Sequence, residues 1–563
     1  MTTRRKAVTR RSWLGLISAG SLSSAWLTAA PQAEAGDLLA GDARTAGARS
    51  YNIRDFGAIG DGKTLDTAAV QAAIDACHKE GGGMVLVPTG VFLIGTIEMK
   101  SNVTLHIVAQ GKLLGSPDGK QYHAASTIPL RGDSTLEDGN VGLIFAVNAE
   151  NITIEGSGTI DGQGAQFRSE RSGVPPPSGR GENDRPYHLL FYRCRNLRVR
   201  NIFLVACAYH SIRVVESSFF WADSVRIYNR VNENNDGFHF ISSEYVHISN
   251  CDVQSQDDAC ALFGSCKNVT VTNSTFSTRW AVFRFGFERA NPENITVSNC
   301  VIYETYGCPI KMLFGPESRA QNILFSNLIM QDVTGPISID LDARPRQHSS
   351  SNETPRKGYV RNISFNGIRA QVAAEWRRLP DIPFEHQYAP GETRQCIVLN
   401  CVGDSYLEDI ALVDVHVTYG GGGTAEEAAR EFPPIAGEYF EAGTPPAYGL
   451  YARKVRGLTL SGVRFGVLQP DLRPAVVLDH VIDAAINSFS THSDLKAKSV
   501  VRCIETRDVL ISATRLLSPA QAFLQIEGPS CARLTIDGGD VSQAAQPLAV
   551  EAGASAKAAK IRA

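Results

Sequence analysis

The sequence of 563 residues carries almost no excess of either charge: 55 lysines and arginines stand against 58 aspartates and glutamates, a formal net charge of −3. That balance excludes a general attraction to nucleic acid or to an anionic membrane, so basic groups have to be judged locally. Beyond the N-terminal segment no apolar run reaches the ~18 residues that a membrane-spanning helix needs. No two-residue cysteine spacing and no histidine pair at ligand spacing occurs, which removes the usual zinc signatures. The run Gly81-Gly82-Gly83 lacks a following Gly-Lys-Ser/Thr and stands before a strand pattern rather than between a strand and a helix, so it is no phosphate loop. Neither a metal nor a cofactor is expected. What is present is an ordinary globular composition, 43% hydrophobic and 20% charged, able to bury a large core.

The N-terminus reads as targeting sequence. Arg10-Arg11-Ser12-Trp13-Leu14, a mildly apolar stretch up to Ala30 and the small-residue site Ala33-Glu34-Ala35 resemble a twin-arginine export signal cleaved after Ala35. Residues 36–50 are then a linker, and the mature chain is expected to be soluble, monomeric and exported, periplasmic or secreted. Twelve cysteines in an exported chain invite disulfides. A chain exported by the twin-arginine route folds first in the reducing cytoplasm, however, and Cys251 and Cys300 end matching strand patterns where a small apolar side chain suffices. Most cysteines are read as buried thiols, with Cys260/Cys266 and Cys396/Cys401 left open as pairs.

The dominant signal is repetition. Tyr245-Val246-His247-Ile248-Ser249-Asn250-Cys251, Asn268-Val269-Thr270-Val271-Thr272-Asn273-Ser274 and Asn294-Ile295-Thr296-Val297-Ser298-Asn299-Cys300 repeat one alternating pattern, and related copies begin at Asn102, Asn151, Asn196, Asn322 and Asn362. One strand per period of roughly 20–30 residues indicates a solenoid, and β-rich copies indicate a parallel β-helix. Asparagine suits the head of each copy because it tolerates left-handed backbone and its amide can bond the amide stacked in the next coil. Successive coils lie about 4.8 Å apart. Asp236 and Asp257 are read as equivalent positions in adjacent copies and therefore as neighbours. One body over 51–550 is expected, with loop insertions near 167–185, 344–357 and 419–448, and a frayed tail over 551–563.

The solenoid needs a cap, since an open coil exposes unpaired backbone and an apolar cross-section. Residues 51–88 supply one in outline: a strand, a glycine turn, apolar residues at helical spacing from Thr67 to Cys77, a second glycine turn and a strand. Asp55-Phe56-Gly57-Ala58, Gly60-Asp61-Gly62 and Gly83-to-Pro88 resemble the entry coil of the pectin-degrading β-helix superfamily. The resemblance implies an all-β, right-handed parallel β-helix with a short N-terminal capping helix.

Asp257 and Asp258 are consecutive and would face opposite sides of a regular strand. The polar lead-in Gln254-Ser255-Gln256 favours a turn or bulge that presents both. With Asp236, three carboxylates then share one site, and mutual repulsion raises the pKa of one of them. A protonated acid beside an ionised base is the requirement for glycosidic cleavage. Asn234-x-Asp236, Asp257-Asp258 and Ile310-Lys311 are similar to the N-x-D, D-D and R-I-K motifs of polygalacturonase-like glycoside hydrolases, family 28. That resemblance implies inverting hydrolysis of a pectic or related acidic polysaccharide or oligosaccharide, with Asp257 as general acid and Asp236 and Asp258 activating water. Two motifs depart from the family: Arg279-Trp280-Ala281 stands where G-H-G is expected, and Pro309 replaces the arginine of R-I-K. Arg279 or Arg284 is read as the replacement cation, Trp280 as a stacking platform, and Asn234 and Lys311 as further substrate-binding residues. His210 and His239 are read as structural, with His239 placed to face the site. Two other readings stay open: a polysaccharide lyase in which Arg279 or Arg284 removes a proton and the aspartates hold calcium, and a non-catalytic sugar-binding β-helix.

Overall fold

The computed structural model describes residues 49–125, 140–168, 176–179, 185–286, 289–341, 356–383, 391–435 and 442–562. The stretch expected to be an export signal, most of the insertions expected near 167–185 and 344–357 and part of that near 419–448 lie outside the described residues. From residue 49 onward the chain is the expected right-handed parallel β-helix. Each coil contributes up to three strand segments, as in Glu244–Ser249, Asp252–Ser255 and Cys260–Phe263, followed in the next coil by Lys267–Thr272, Thr275–Thr278 and Phe283–Gly286. The third segments build one fifteen-stranded sheet.

Period-two alternation decides what fills the coil. Leu197, Phe220, Val246, Val269, Ile295 and Ile323 occupy one register column and are all buried. Each such burial contributes about 1.5–3 kcal/mol, and stacking repeats the gain coil after coil. The asparagine ladder is present as expected. Asn151 donates to Asn102, Asn196 to Asn151, Asn294 to Asn268, Asn322 to Asn294 and Asn362 to Asn322, with every one of these residues at φ between 53° and 65°.

Helix Thr67–Lys79 buries Val70, Ala73, Ile74 and Cys77. The preceding Asp66 is buried and accepts from the Ile59 and Gly60 amides, which ties the glycine turn to the helix entry. At the other end the expected frayed tail is replaced by structure: Ala559–Arg562 pairs in parallel with Leu534–Asp537, extending the ladder by one strand. All twelve cysteines are buried free thiols, the pairs Cys260/Cys266 and Cys396/Cys401 included. Burial pushes the Cys266 and Cys396 thiols up to about 12. Among the described residues no helix is long and apolar enough to cross a membrane.

On the fifteen-stranded sheet the residues alternate with the same strictness. Ile212, Phe238, Cys260, Phe283, Ile310 and Ile337 point into the coil, while Arg213, His239, Ala261, Arg284, Lys311 and Ser338 form the opposite column. This polar column flanks the carboxylates.

Candidate active site

Asp236 closes the turn that leads from strand Arg226–Asn229 into Phe238–Ile241. Asn235 holds that turn: its Oδ1 accepts from the Val231 and Asn232 amides at 3.0 and 2.7 Å, and its Nδ2 donates to the carbonyls of Cys207 and Tyr209. Gly237 is required beside it, because a Cβ there would lie 2.5 Å from the Ala259 carbonyl oxygen of the next coil. Asp257 and Asp258 lie in the short bend before Cys260–Phe263, which is the turn the sequence favours. Ser255 Oγ and Thr278 Oγ1 both donate to the Asp257 carbonyl at 2.6 Å. These bonds aim the two side chains without occupying them.

The equivalence expected from the repeat is off by one. Phe238 pairs with Cys260, and the Gly237 amide donates to the Asp258 carbonyl, so Asp236 is level with Asp258 and not with Asp257. The turn over 230–237 is longer than the turn over 256–259, and only the strands keep the register. Asp257 instead lies beside Asn234, whose Nδ2 is 3.5 Å from Asp257 Oδ2. Asn234 is itself oriented by Arg185, which donates Nη2 to its Oδ1 at 3.0 Å and lies 4.3 Å over the Tyr209 ring.

The three carboxylates have different surroundings. Asp257 is partly exposed; one of its oxygens accepts the Asp258 amide at 2.8 Å. Asp258 is buried and its Oδ1 accepts from the Ala281 amide at 3.3 Å. Asp236 is buried with Oδ2 2.7 Å from His239 Nδ1 and Oδ1 3.6 Å from His210 Nε2. The two imidazoles stack at 4.3 Å between centroids, 12° from parallel. Burial first, then the charges of Asp257 and Asp258, push the Asp236 carboxyl well above the usual carboxylate range. Burial holds both imidazoles well below theirs, with Arg213 acting in the same direction on each. A proton held by Asp236 can be shared with His239 across their 2.7 Å contact. His210, Asp236 and His239 offer ligand atoms within 4.8 Å of one another, close enough for a metal ion, but the hydrogen bond already formed and the stacked rings fit proton sharing better.

The expected substrate-binding residues separate into two groups. Arg284 and Lys311 are register partners on adjacent strands, both in the polar column, and Lys311 Nζ lies 4.3 Å over the Trp280 ring. Arg284 thus stands beside Lys311 on the neighbouring strand, while Pro309, two residues before Lys311, offers no charge. Arg279 is placed otherwise than expected. Its Nη1 donates to the Tyr306 carbonyl at 2.6 Å and meets Glu392 at 3.3 Å, with the two side chains 3% and 0% exposed. This guanidinium is engaged by the scaffold, through the Tyr306 carbonyl and the buried Glu392 carboxylate. Sequence reasoning also passed over Arg185, Asn235 and the approach of His210 to Asp236. For His210 and Arg213 a signal was available: carrying the strand register one coil back from His239 reaches Arg213, and the turn residue beside that strand is His210.

Residues 77–379 match the profile of glycosyl hydrolases family 28. The chain is 31% identical over 222 residues to a probable polygalacturonase of Vitis vinifera, an alignment that spans 38% of this chain and 44% of that relative. It is 25% identical over 404 residues to an exopolygalacturonase of Zea mays, covering 66% of this chain and 84% of the relative. Among solved structures, the family 28 exopolygalacturonase of Yersinia enterocolitica superposes with a TM-score of 0.58 at 19% identity, over 78% of each chain. Fold, carboxylate cluster and profile agree on a β-helical glycoside hydrolase. The chain belongs to glycosyl hydrolases family 28.

Proposed function

We propose that this chain is an exported, inverting hydrolase of α-linked galacturonan or a related acidic pectic polysaccharide or oligosaccharide. The observation that carries the reading is the convergence of Asp236, Asp257 and Asp258 from two adjacent coils beside a column holding Arg284 and Lys311. Carboxylates next to fixed cations suit a substrate whose own carboxylates need partners and whose glycosidic oxygen needs a proton. The relatives named polygalacturonase point to the same sugar. Export is read from Arg10-Arg11 and the apolar stretch after them.

In this reading Asp257, the partly exposed member, protonates the leaving glycosidic oxygen. Asp258 takes the proton from the attacking water. Asp236, which shares a proton with His239, orients that water and keeps the charge of the cluster from reaching three. Trp280 stacks on a sugar ring, steadied by the Lys311 ammonium over its face, while Arg284 and Lys311 hold a uronate carboxylate. Arg279 takes no part in substrate binding, and its ion pair with Glu392 speaks against proton abstraction by that residue. The deciding experiment follows trigalacturonate hydrolysis by proton NMR from the first turnover. A β-anomer formed first supports inversion, whereas an unsaturated product or the absence of turnover would overturn the reading.

A further inference from the structure

One segment runs across the coils instead of around them. Leaving the strand Tyr359–Val372, residues 373–383 turn back along the helix axis past stacked strands that end at Val333, Thr305, Thr278, Ser255 and Asn229. Arg377 meets Asp332 at 3.7 Å, Leu379 and Ile382 pack with Tyr306, and Asp381 reaches Arg230. Those five coil steps, at about 4.8 Å each, amount to about 24 Å, and an extended chain over 373–381 can reach about 30 Å. The segment is a strap over the corner from which the catalytic turns leave.

At the far end of the strap lies a buried guanidinium. Arg230 Nη1 meets both carboxylate oxygens of Asp381, at 2.9 and 2.8 Å, while Nε donates to the Ser255 carbonyl at 3.1 Å and Nη2 to Ser277 Oγ at 2.7 Å. The Arg230 side chain is 4% exposed, and among the described residues Asp381 is its one carboxylate partner. The Tyr228 hydroxyl orients that partner, donating to its Oδ2 at 2.9 Å. The residues that Arg230 grips are tied to Asp257. Ser255 Oγ donates to the Asp257 carbonyl, and the other donor to that carbonyl, Thr278 Oγ1, belongs to the residue after Ser277. The other two carboxylates are held by different groups: Asp236 by the turn around Asn235, Asp258 by the Gly237 and Ala281 amides. Tyr228 belongs to the second strand segment of its coil and the carboxylates stand before the third, so Asp381 acts from the other side of the corner.

We infer that Asp381 is a positioning residue of the active site: through Arg230 it fixes Ser255 and Ser277, and through them the placement of Asp257. The inference rests on the proposed role of Asp257 as general acid. A guanidinium buried without its counter-charge is costly, so loss of the Asp381 charge draws Arg230 towards water and away from Ser255 and Ser277. The Asp257 carbonyl then loses the rigid support of both its donors. A misplacement of about 1 Å costs on the order of 10²-fold in rate, because a general acid has to stand within hydrogen-bond reach of the oxygen it protonates.

The test is Asp381→Asn, which keeps the shape and removes the charge, with Asp381→Glu as the charge-conserving control and thermal denaturation to verify folding. On trigalacturonate, Asp381→Asn should lower kcat by roughly 10–100-fold with KM within about twofold, and Asp381→Glu should recover most of the loss. On a nitrophenyl galacturonide, whose leaving group departs without protonation, the loss should shrink. In an Asp257→Asn background the same substitution should cost less than about twofold, because the group it positions is gone. Full kcat in folded Asp381→Asn, a rise in KM alone, an equal loss on both substrates, or the full extra loss in the Asp257→Asn background would each overturn the inference. If Asp381→Asn does not fold, Ser277→Ala, which removes the acceptor of Arg230 Nη2 and leaves the ion pair, is judged by the same readings. Should Asp257→Asn by itself lose activity equally on both substrates, the acid assignment falls instead, and the extra loss in that background alone decides whether Asp381 acts through Asp257.

Discussion

Asp236 and His239 face each other across 2.7 Å, both buried, one pushed towards holding a proton and the other towards releasing it. Three residues apart in sequence, they stand at the end of a turn and on the second residue of the strand it feeds, so the pair is fixed by backbone alone. The carboxyl of Asp236 is costly to ionise where it sits.

A stability prediction follows from that cost. Because the folded-state pKa of Asp236 is raised, the native protein holds the proton more tightly than the unfolded chain, and this contribution is lost as pH rises from about 4 through the folded value. The lowered histidines act oppositely: their contribution is present above about 6.5 and is lost as pH falls below it. Asp236→Asn removes only the first effect. Its melting temperature should therefore gain on that of the wild type as pH is raised from about 4 to 8, measured by thermal denaturation across that range. A difference that is flat with pH would refute the assignment of a raised Asp236 pKa.

The buried Arg279–Glu392 pair makes a different prediction. Removing one member takes the ionic contact from a charge held in the interior, so Glu392→Gln and Arg279→Met should each destabilise by up to about 3–5 kcal/mol, with the double variant recovering part of the loss. Denaturant unfolding of the three variants decides the matter. Arg279→Met at full stability with an increased KM would show that Arg279 binds substrate after all.

The fold was legible because a β-helix writes its period into the chain. Leu197, Phe220, Val246 and Val269 had to alternate with polar neighbours, and Asn151, Asn196 and Asn268 had to occupy left-handed positions, so strand, register column and ladder could all be read locally. The carboxylates were legible as types and as neighbours. Their alignment was not, because the turns 230–237 and 256–259 differ in length and register passes only through Phe238 and Cys260. Arg279 illustrates the limit most clearly. Its partner Glu392 lies 113 residues away, on a segment with no repeat pattern, and nothing local distinguishes a guanidinium that will meet substrate from one that will meet a buried carboxylate.

If Arg284 and Lys311 hold a uronate carboxylate, Arg284→Ala and Lys311→Ala should raise KM for a galacturonide far more than for its methyl ester. A charge-assisted hydrogen bond of about 1.5–3 kcal/mol corresponds to a loss of roughly 10–100-fold in kcat/KM. Both side chains are nearly buried, so circular dichroism and melting curves must first show that the variants fold. Equal losses on acid and ester would indicate a packing role for the column rather than recognition of charge.

The division of labour among the carboxylates is tested by the leaving group. Asp257→Asn removes the proton donor, and general acid catalysis is worth about 10²–10⁴ in rate, so hydrolysis of a natural oligogalacturonide should fall by that amount. A nitrophenyl galacturonide releases a group that departs without protonation, and on it the loss should shrink. Asp258→Asn should impair both substrates alike, because water still has to be deprotonated when the leaving group is good. Asp236→Asn should resemble Asp258→Asn in direction, with a smaller loss, since the amide keeps a hydrogen bond to His239 and can still orient the water. Initial rates of the three variants on both substrates, with folding verified, separate these roles. Equal losses for Asp257→Asn on natural and activated substrates would remove it as the acid, and a loss confined to the natural substrate for Asp258→Asn would exchange the two assignments.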